Sequence, residues 1–262
     1  ALSTDQVVAF STSQVAALTT TEAATLSPAQ AKALTTAQVQ ALNTDNIKAL
    51  KLDSVEAMTT TQLQAMSTTQ LNALETEDFA NLSGTQISGL TTDQVKALTT
   101  SAVTSLKAER VAQFTTDQVS VLTAANVTAL NSDQVAALTT AQVGALGTDQ
   151  VKAITTTAVA AMLTSQVTAM STAQVAALST SQMAALAANE VKTFSTTQVQ
   201  ALVTAQVSGL NTGTLAALTT TQVQSVETTD LAAMTTAQVA GLTTTNLTAL
   251  TSTQVQTLKT SQ

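Results

Sequence analysis

The side chains that most often do chemistry are scarce in this sequence. Its 262 residues include no Cys and no His, which excludes disulfides, thiol nucleophiles and His or Cys metal ligands. Ser and Thr are abundant, but no imidazole is available to activate them, and nothing in the spacing supports a Ser–Lys pair. There is no glycine-rich phosphate loop. Carboxylates are therefore the remaining candidates for a reactive or ligand-binding site.

The densest group of carboxylates is the run Glu75-Thr76-Glu77-Asp78. Carboxylate oxygens suit Ca²⁺, but this run lacks the glycine and the spaced aspartates of a dedicated calcium loop. General acid–base catalysis needs two positioned groups of tuned pKa, and the other acids are spread thinly along the chain. We therefore expect no catalytic residues, no metal site and no cofactor, and we expect the protein not to be an enzyme.

The composition narrows the choice of partners. Charged residues make up 10% of the chain, against roughly 25% in typical soluble domains, and the net charge is −7. A nucleic-acid partner would require a basic stripe, which is absent from the sequence. No apolar run approaches the ~18 residues that a membrane-spanning helix requires. The composition therefore predicts neither nucleic-acid binding nor membrane insertion.

An eight-residue repeat organises the whole sequence. Every eighth residue from Leu2 onward is Leu, Met, Phe, Ile or Val, and this holds at all 33 positions. Every eighth residue from Val7 onward is also apolar, at all 32 positions. A fixed period without insertions is the signature of a repeat array. We therefore predict one continuous array of about 33 octapeptide repeats over residues 1–262, which we expect to be a segment of a longer chain.

The octad carries a helix-start signal. We number its positions one to eight from the Leu column, so that Leu90 is position one. Position two is Ser, Thr or Asn in 24 of 33 repeats, and position five is Gln in 21 of 33. Ser/Thr-x-x-Gln is a capping box, in which Thr91 would cap the helix and Gln94 would reach back to the cap amide. Leu90 and Val95 occupy the two places of a hydrophobic staple.

The same assignment extends along the chain, and the single proline agrees with it. Pro28 directly follows Ser27, at the first helical position, where proline is tolerated. Position eight is small, usually Ala. Further examples of predicted cap pairs are Thr139 with Gln142 and Thr235 with Gln238, and further examples of predicted core residues are Leu98, Val143, Leu146, Val239 and Leu242.

These patterns predict an all-α solenoid with one capped helix of about six residues, ~9 Å long, in each repeat. An isolated helix of this length is unstable, so order must come from the stacking of neighbouring repeats. A β-solenoid is the alternative, because Thr and Val favour strands. Adjacent Thr residues and abundant Ala argue against strands, whereas the scarcity of glycine leaves open how each helix ends.

Some repeats depart from the consensus. The cap hydroxyl is missing at Lys51, Lys107, Leu163, Ala187 and Val203. One interpretation is a marked site or a lateral contact, and the other is sequence drift. The sequence leaves both open.

The octad at Thr139 to Leu146 and its relative at Thr235 to Leu242 resemble octapeptide-repeat regions of very large bacterial exoproteins, often labelled as adhesion or haem-utilisation proteins. The resemblance covers the whole chain and implies a secreted or surface-bound bacterial protein. Because the chain has no His, Cys or Tyr, we expect no haem. We therefore expect a structural stalk, filament or adhesin shaft that associates with itself. A solenoid module that binds glycans, proteins or other cells is the alternative.

Overall fold

Short helices build the entire described chain. The computed structural model describes residues 2–262, and over that range it contains helices and no strand. Each helix has four to six residues and occupies one octad. The predicted solenoid of short helices is thereby confirmed, and the β-solenoid alternative is wrong.

The helices cluster into two compact units. The first unit ends at Leu130 and the second covers Asn131–Gln262. The single continuous array over residues 1–262 rests on the unbroken eight-residue register of the sequence, and it stays a prediction.

The first unit contains α1 to α16. Their bounds are Thr4–Val8, Thr12–Ala16, Thr20–Ala23, Pro28–Ala33, Thr36–Ala41, Thr44–Ala49, Leu52–Ala57, Thr60–Ala65, Thr68–Leu71, Thr76–Asn81, Gly84–Gly89, Thr92–Lys96, Thr100–Ser105, Ala108–Val111, Thr116–Ser120 and Ala124–Ala129.

The second unit contains α17 to α32. Their bounds are Ser132–Ala136, Thr140–Ala145, Thr148–Ala153, Thr156–Ala160, Thr164–Thr168, Thr172–Ala177, Thr180–Ala185, Ala188–Val191, Thr196–Gln200, Thr204–Gly209, Thr212–Ala217, Thr220–Ser225, Thr228–Ala233, Thr236–Ala240, Thr244–Ala249 and Ser252–Thr257.

Each helix begins at an extended cap residue and ends without a left-handed residue. Thr139, the cap of α18, has φ −72° and ψ 160°. Leu146 ends that helix with φ −63° and ψ 135°, and its N–H donates to the Val143 carbonyl at 3.2 Å. Across residues 2–262 no residue has a positive φ. Two consecutive extended residues thus turn the chain from one helix into the next, which is why the array needs so few glycines.

Within each unit the helices stack in superhelical turns of between three and four repeats. Helices three apart in sequence pack together, such as α4 with α7 in the first unit and α26 with α29 in the second. Side-chain hydrogen bonds also connect helices four apart, such as α12 with α8. A helix such as α12 therefore packs against the helix three repeats back and is hydrogen-bonded to the helix four repeats back.

The interior of each unit is lined by positions one and six of the octad. Leu90, Val95 and Leu98 are 4%, 0% and 5% exposed in the first unit. In the second unit, Val143, Leu146, Val239 and Leu242 are also buried, as the sequence predicts. Because full burial of such a side chain is worth roughly 1.5–3 kcal/mol, the two apolar columns supply the main driving force for stacking.

The residues at positions three and eight of adjacent turns lie against one another, and their size limits the distance between the turns. A Cβ at Gly89 would lie 2.9 Å from Cγ2 of Thr60, which is 29 residues earlier. A Cβ at Gly241 would lie 2.8 Å from both Cβ and Cγ2 of Thr212, at the same separation. The β-branched threonine at position three therefore explains why position eight is small.

One repeat pair shows the reverse arrangement. Position eight is the long Gln113, and position three of its partner is Gly84, whose added Cβ would lie 2.9 Å from Cγ of Gln113. A large residue on one turn is thus matched by a small one on the other.

We expect Gly241→Ala to lower the stability of the second unit by about 1 kcal/mol, because Thr212 has no flexible end that can move away. Gly144→Ala is the matched control, since Gly144 is exposed inside α18 and an added Cβ would have no contact closer than 3.8 Å. The control should gain about 0.5–1 kcal/mol from helix propensity. Urea unfolding of both variants, followed by far-ultraviolet circular dichroism, tests this. An equal effect of the two changes would contradict the packing between positions three and eight.

Candidate functional site

The predicted cap pairs form reciprocal hydrogen bonds. Thr91 Oγ1 accepts from the N–H of Gln94 at 3.1 Å, and Gln94 Oε1 accepts from the N–H of Thr91 at 2.9 Å. The Thr139–Gln142 pair has the corresponding distances 3.2 and 2.7 Å, and the Thr235–Gln238 pair has 3.2 and 2.8 Å. Each pair satisfies two amides that a helix N-terminus leaves without an intrahelical partner.

The same glutamine has a second role that the sequence analysis did not anticipate. Nε2 of Gln94 donates to the carbonyls of Leu63 at 2.8 Å and Met66 at 2.9 Å, at the end of α8 one turn earlier. In the second unit, Nε2 of Gln238 donates to the carbonyls of Val207 at 3.1 Å and Leu210 at 2.8 Å. One carboxamide thus starts its own helix and satisfies the carbonyl end of another.

We call this arrangement the glutamine ladder. Its members are position-five glutamines whose Oε1 accepts the N–H of their own cap residue and whose Nε2 donates to carbonyls 28 to 31 residues earlier. They include Gln38, Gln62, Gln70, Gln86, Gln94 and Gln118 in the first unit and Gln166, Gln174, Gln182, Gln198, Gln206, Gln222, Gln238 and Gln254 in the second.

The ladder is buried and therefore has to be fully hydrogen-bonded. Its glutamines are only 1–6% exposed, and a buried polar group without a partner costs about 1–3 kcal/mol. A glutamate could accept from the cap amide but, when ionised, has no donor for the carbonyls. The sequence contained a signal of this requirement, because a capping box accepts Glu or Gln, yet position five holds Gln 21 times and Glu only at Glu22 and Glu190.

In some repeats that lack the cap hydroxyl, the position-five glutamine still accepts the N–H of the cap residue. The N–H groups of Gly147, Leu163 and Val203 donate to Oε1 of their position-five glutamines at 2.7, 2.7 and 2.8 Å. These three repeats are therefore irregular only at an exposed cap side chain.

Other repeats lack the ladder amide itself. Ala102 replaces it in α13, and the cap N–H of Thr99 lies 3.4 Å from Oδ1 of Asn72 instead. An open cleft of about 500 Å³ lies beside this repeat, with Lys48 and Glu75 also in its lining.

The repeat after Ala102 also lacks the amide. Arg110 stands at position five, and its Nε is the one side-chain nitrogen in residues 2–262 that is buried without a hydrogen-bond partner. Lys51 and Ala187 likewise begin helices without a side-chain cap, although Ser54 Oγ reaches the Leu26 carbonyl at 2.7 Å. The repeats of Ala102 and Arg110 thus lack the position-five carboxamide of the consensus octad.

The acidic run contains a buried ladder position. Asp78 is 5% exposed, and its Oδ2 accepts the N–H of Glu75 at 2.8 Å. Burial raises the pKa of Asp78, and the nearby carboxylates of Glu75, Glu77 and Glu56 raise that pKa further. Across residues 2–262, no three carboxylates come together in a group that could hold a metal ion. The run therefore places a carboxylate where the other turns place an amide.

The octad sequence matches a known family of repeats. The model of the ALTTAQ repeat matches residues 24–52, 53–83, 71–108, 111–148, 127–164 and 223–260, which together cover more than half of the chain. The chain belongs to the ALTTAQ repeat family. The six letters of that name cover position eight, Ala, through position five, Gln, so the family motif contains the cap and the ladder residue. No curated protein matches the sequence significantly.

We expect Gln94→Met to destabilise the first unit by about 2–4 kcal/mol, because it removes the side-chain partners of the Met66 carbonyl and the Thr91 amide and one of the two bonds to the Leu63 carbonyl. Gln14→Met is the matched control. Oε1 of Gln14 also caps its helix, at 2.8 Å from the Ser11 nitrogen, but its Nε2 contacts no acceptor within residues 2–262. The control should lose about 1 kcal/mol or less. Urea denaturation midpoints compare the two, and equal losses would show that the ladder bonds contribute nothing beyond capping.

Asp78→Asn should stabilise the first unit at neutral pH. A carboxyl whose pKa is raised by folding holds its proton more tightly in the folded chain, so its contribution to stability is largest below its unfolded pKa and declines as the pH rises through the folded pKa. The Asn variant should lose this pH dependence. Thermal unfolding at several pH values, with the exposed Asp93→Asn as control, provides the measurement. An unchanged pH profile in the Asp78 variant would contradict the assignment.

Proposed function

We propose that the chain is a non-enzymatic structural protein of the bacterial cell surface or extracellular space, in which stacked ALTTAQ repeats form a stalk, filament or adhesin shaft. The proposal rests on what the polar and apolar side chains of the repeat contact in the structure. The carboxamide at position five bridges two turns, the hydroxyl at position two caps a helix, and the aliphatic residues fill the interior. The groups of the consensus octad are thus engaged in holding the array together.

An extracellular location has separate support. The resemblance to repeat regions of large bacterial exoproteins points in that direction. The chain also has no cysteine, so its fold does not depend on keeping a thiol reduced. None of the helices in residues 2–262 has the length and apolar character needed to cross a bilayer. A secreted or surface-attached protein is consistent with these features.

The way in which the turns interact supports the proposal of self-association. Within each unit, turns bind one another through buried apolar residues and amide-to-carbonyl bonds, as Gln94 shows in the first unit and Gln238 in the second. Stacked repeats with this property can bind a further copy in the same manner as they bind their own neighbours. We therefore propose the chain itself as its principal partner.

Labelling of intact cells of the source organism with an antibody against the chain tests the location. We expect the antibody to bind intact cells or material released from them, and we expect cells lacking the chain to attach less well to surfaces. An antibody against an internal enzyme serves as the control for cell integrity. Detection of the chain only after the cells are broken would contradict the proposal.

A binding module for glycans or proteins is the second candidate, and the cleft beside Ala102 favours it. The cleft combines Lys48, Glu75 and the amide of Asn72 around a volume of about 500 Å³. If binding is the function, a glycan array should show selective retention that Lys48→Ala with Glu75→Ala abolishes. The matched control is Lys152→Ala with Asp149→Ala, an exposed pair in the second unit at 3.7 Å. Equal retention of both variants would remove this candidate.

A further inference from the structure

We propose that the cleft beside Ala102 binds a primary carboxamide, which takes the place of the glutamine side chain that this repeat lacks. This inference deepens the second candidate function and rests on it, because it concerns the same cleft and names the chemistry of its ligand. Three observations carry it: backbone groups that hold a carboxamide in other turns, an opening that leads to them, and an equivalent cleft in which a glutamine occupies the place.

The first observation concerns the backbone groups that a ladder glutamine would bind in this turn. Two of them are the carbonyls of Leu71 and Leu74, which lie 31 and 28 residues before position five. The Leu74 carbonyl accepts no hydrogen bond within residues 2–262, and the Leu71 carbonyl accepts from the Leu74 N–H at 3.2 Å. The third group is the cap N–H of Thr99, whose acceptor is Oδ1 of Asn72 at a long 3.4 Å. Ala102 itself has no polar side-chain atom that could bond these groups.

Gln70 shows how the same three groups bind a carboxamide four repeats earlier. Its Oε1 accepts the N–H of Ser67 at 2.8 Å, and its Nε2 donates to the carbonyls of Val39 at 2.9 Å and Leu42 at 2.6 Å. Each of these groups lies 32 residues before its counterpart in the turn of Ala102. A primary carboxamide has one acceptor oxygen and two N–H donors, whereas a carboxylate has no donor and a hydroxyl has only one. The arrangement of backbone groups is therefore selective for a primary carboxamide.

The cleft gives a ligand access to these groups. It measures about 500 Å³, and its lining includes Leu74, Thr99 and Ala102. The lining also includes Phe79, a position-six core residue that is 2% exposed. The equivalent cleft four repeats earlier, about 610 Å³ in volume, is lined by Gln70 and by no residue of position six. Where alanine replaces glutamine, the cleft thus reaches the core column, and the apolar part of a bound amide can lie against an aromatic ring.

The charges around the cleft favour a neutral or zwitterionic ligand. Lys48 and Glu75 are the charged residues of its lining, so a bound ligand meets one cation and one anion. Two sources of a primary carboxamide agree with this balance. One is free glutamine, whose carboxylate and ammonium groups would pair with Lys48 and Glu75. The other is the glutamine side chain of a peptide.

The amide signals in the nitrogen–proton NMR spectrum of the full chain test the proposal, with acetamide as the probe. We expect acetamide to shift the N–H signal of Thr99 saturably, because its oxygen would replace the long contact with Asn72 by a shorter hydrogen bond. Acetate has no donor and N,N-dimethylacetamide has no N–H, so both should leave this signal unchanged. The signal of Ser67 is the control within the same chain, since its N–H is already bonded to Gln70.

Two variants test whether the missing side chain creates the site. Ala102→Gln supplies that side chain, so it should abolish the response of Thr99 and raise the urea midpoint of the first unit. Gln70→Ala should create a second site, at which acetamide also shifts the signal of Ser67. Far-ultraviolet circular dichroism checks that each variant keeps its helices, and Ala102 itself shows that a turn can accommodate alanine at position five.

Two further ligands distinguish the sources of the carboxamide. Tighter binding of free L-glutamine than of N-acetylglutamine N-methylamide would identify the amino acid, because only the free form has charges that can pair with Lys48 and Glu75. The double change of both residues to Ala should then reduce its affinity to that of the blocked form. Equal or tighter binding of the blocked form would identify a glutamine side chain of a peptide.

A Thr99 signal that does not respond to acetamide would overturn the proposal, and so would equal responses to acetate or N,N-dimethylacetamide. A response that persists in Ala102→Gln would place the binding elsewhere and would overturn it as well. An unchanged Ser67 signal in Gln70→Ala would contradict the role given to the missing side chain. These results would leave the second candidate function to the glycan array and the location to the antibody labelling, so the proposals fail separately.

Discussion

The structure depends on one carboxamide that serves two helices. A helix of four to six residues has more backbone groups without an intrahelical partner than it has residues, because the first four amides and the last four carbonyls of any helix are unpaired. Each ladder glutamine supplies an acceptor to its own cap amide and donors to the carbonyls of a helix one turn away. Very short helices are possible because side chains of the next turn hydrogen-bond the backbone groups at their ends.

This interaction also makes the stability of the array collective. The Leu63 and Met66 carbonyls at the end of α8 accept from Gln94 of α12, and the interior residues Leu63 and Val95 of the two helices are fully buried. Removal of one turn would leave the neighbouring turn with unsatisfied carbonyls as well as exposed aliphatic residues. Hydrophobic burial and hydrogen bonding therefore favour the same stacked arrangement, which is the consistency expected of a well-specified fold.

Substitutions at the cap position and at position five of the octad have different physical consequences. Changes at the exposed cap, such as Leu163 and Val203, leave the ladder intact. Changes at position five, such as Ala102, Arg110 and Asp78, replace the carboxamide and are accompanied by a cleft, an unpaired nitrogen or a carboxyl with a raised pKa. The exposed surface tolerates variation, whereas each change at position five alters how two turns are joined.

The sequence alone was sufficient for the local structure. Two apolar columns, a Ser/Thr-x-x-Gln spacing and Pro28 at a helix start predict short capped helices and a core at positions one and six, because capping and amphipathicity are interactions within one octad or its periodic image. Residues such as Leu90, Thr91, Gln94 and Val95 could be assigned in this way.

Only the tertiary structure decided what lies across a turn. A single period does not determine how many repeats complete a superhelical turn, and the partners of Nε2 follow from that number, between 28 and 31 residues earlier in the chain. The match between Thr212 and Gly241 depends on the same offset. These contacts escaped sequence reasoning because they join residues from different repeats, and an octad that repeats without interruption looks the same at every possible offset.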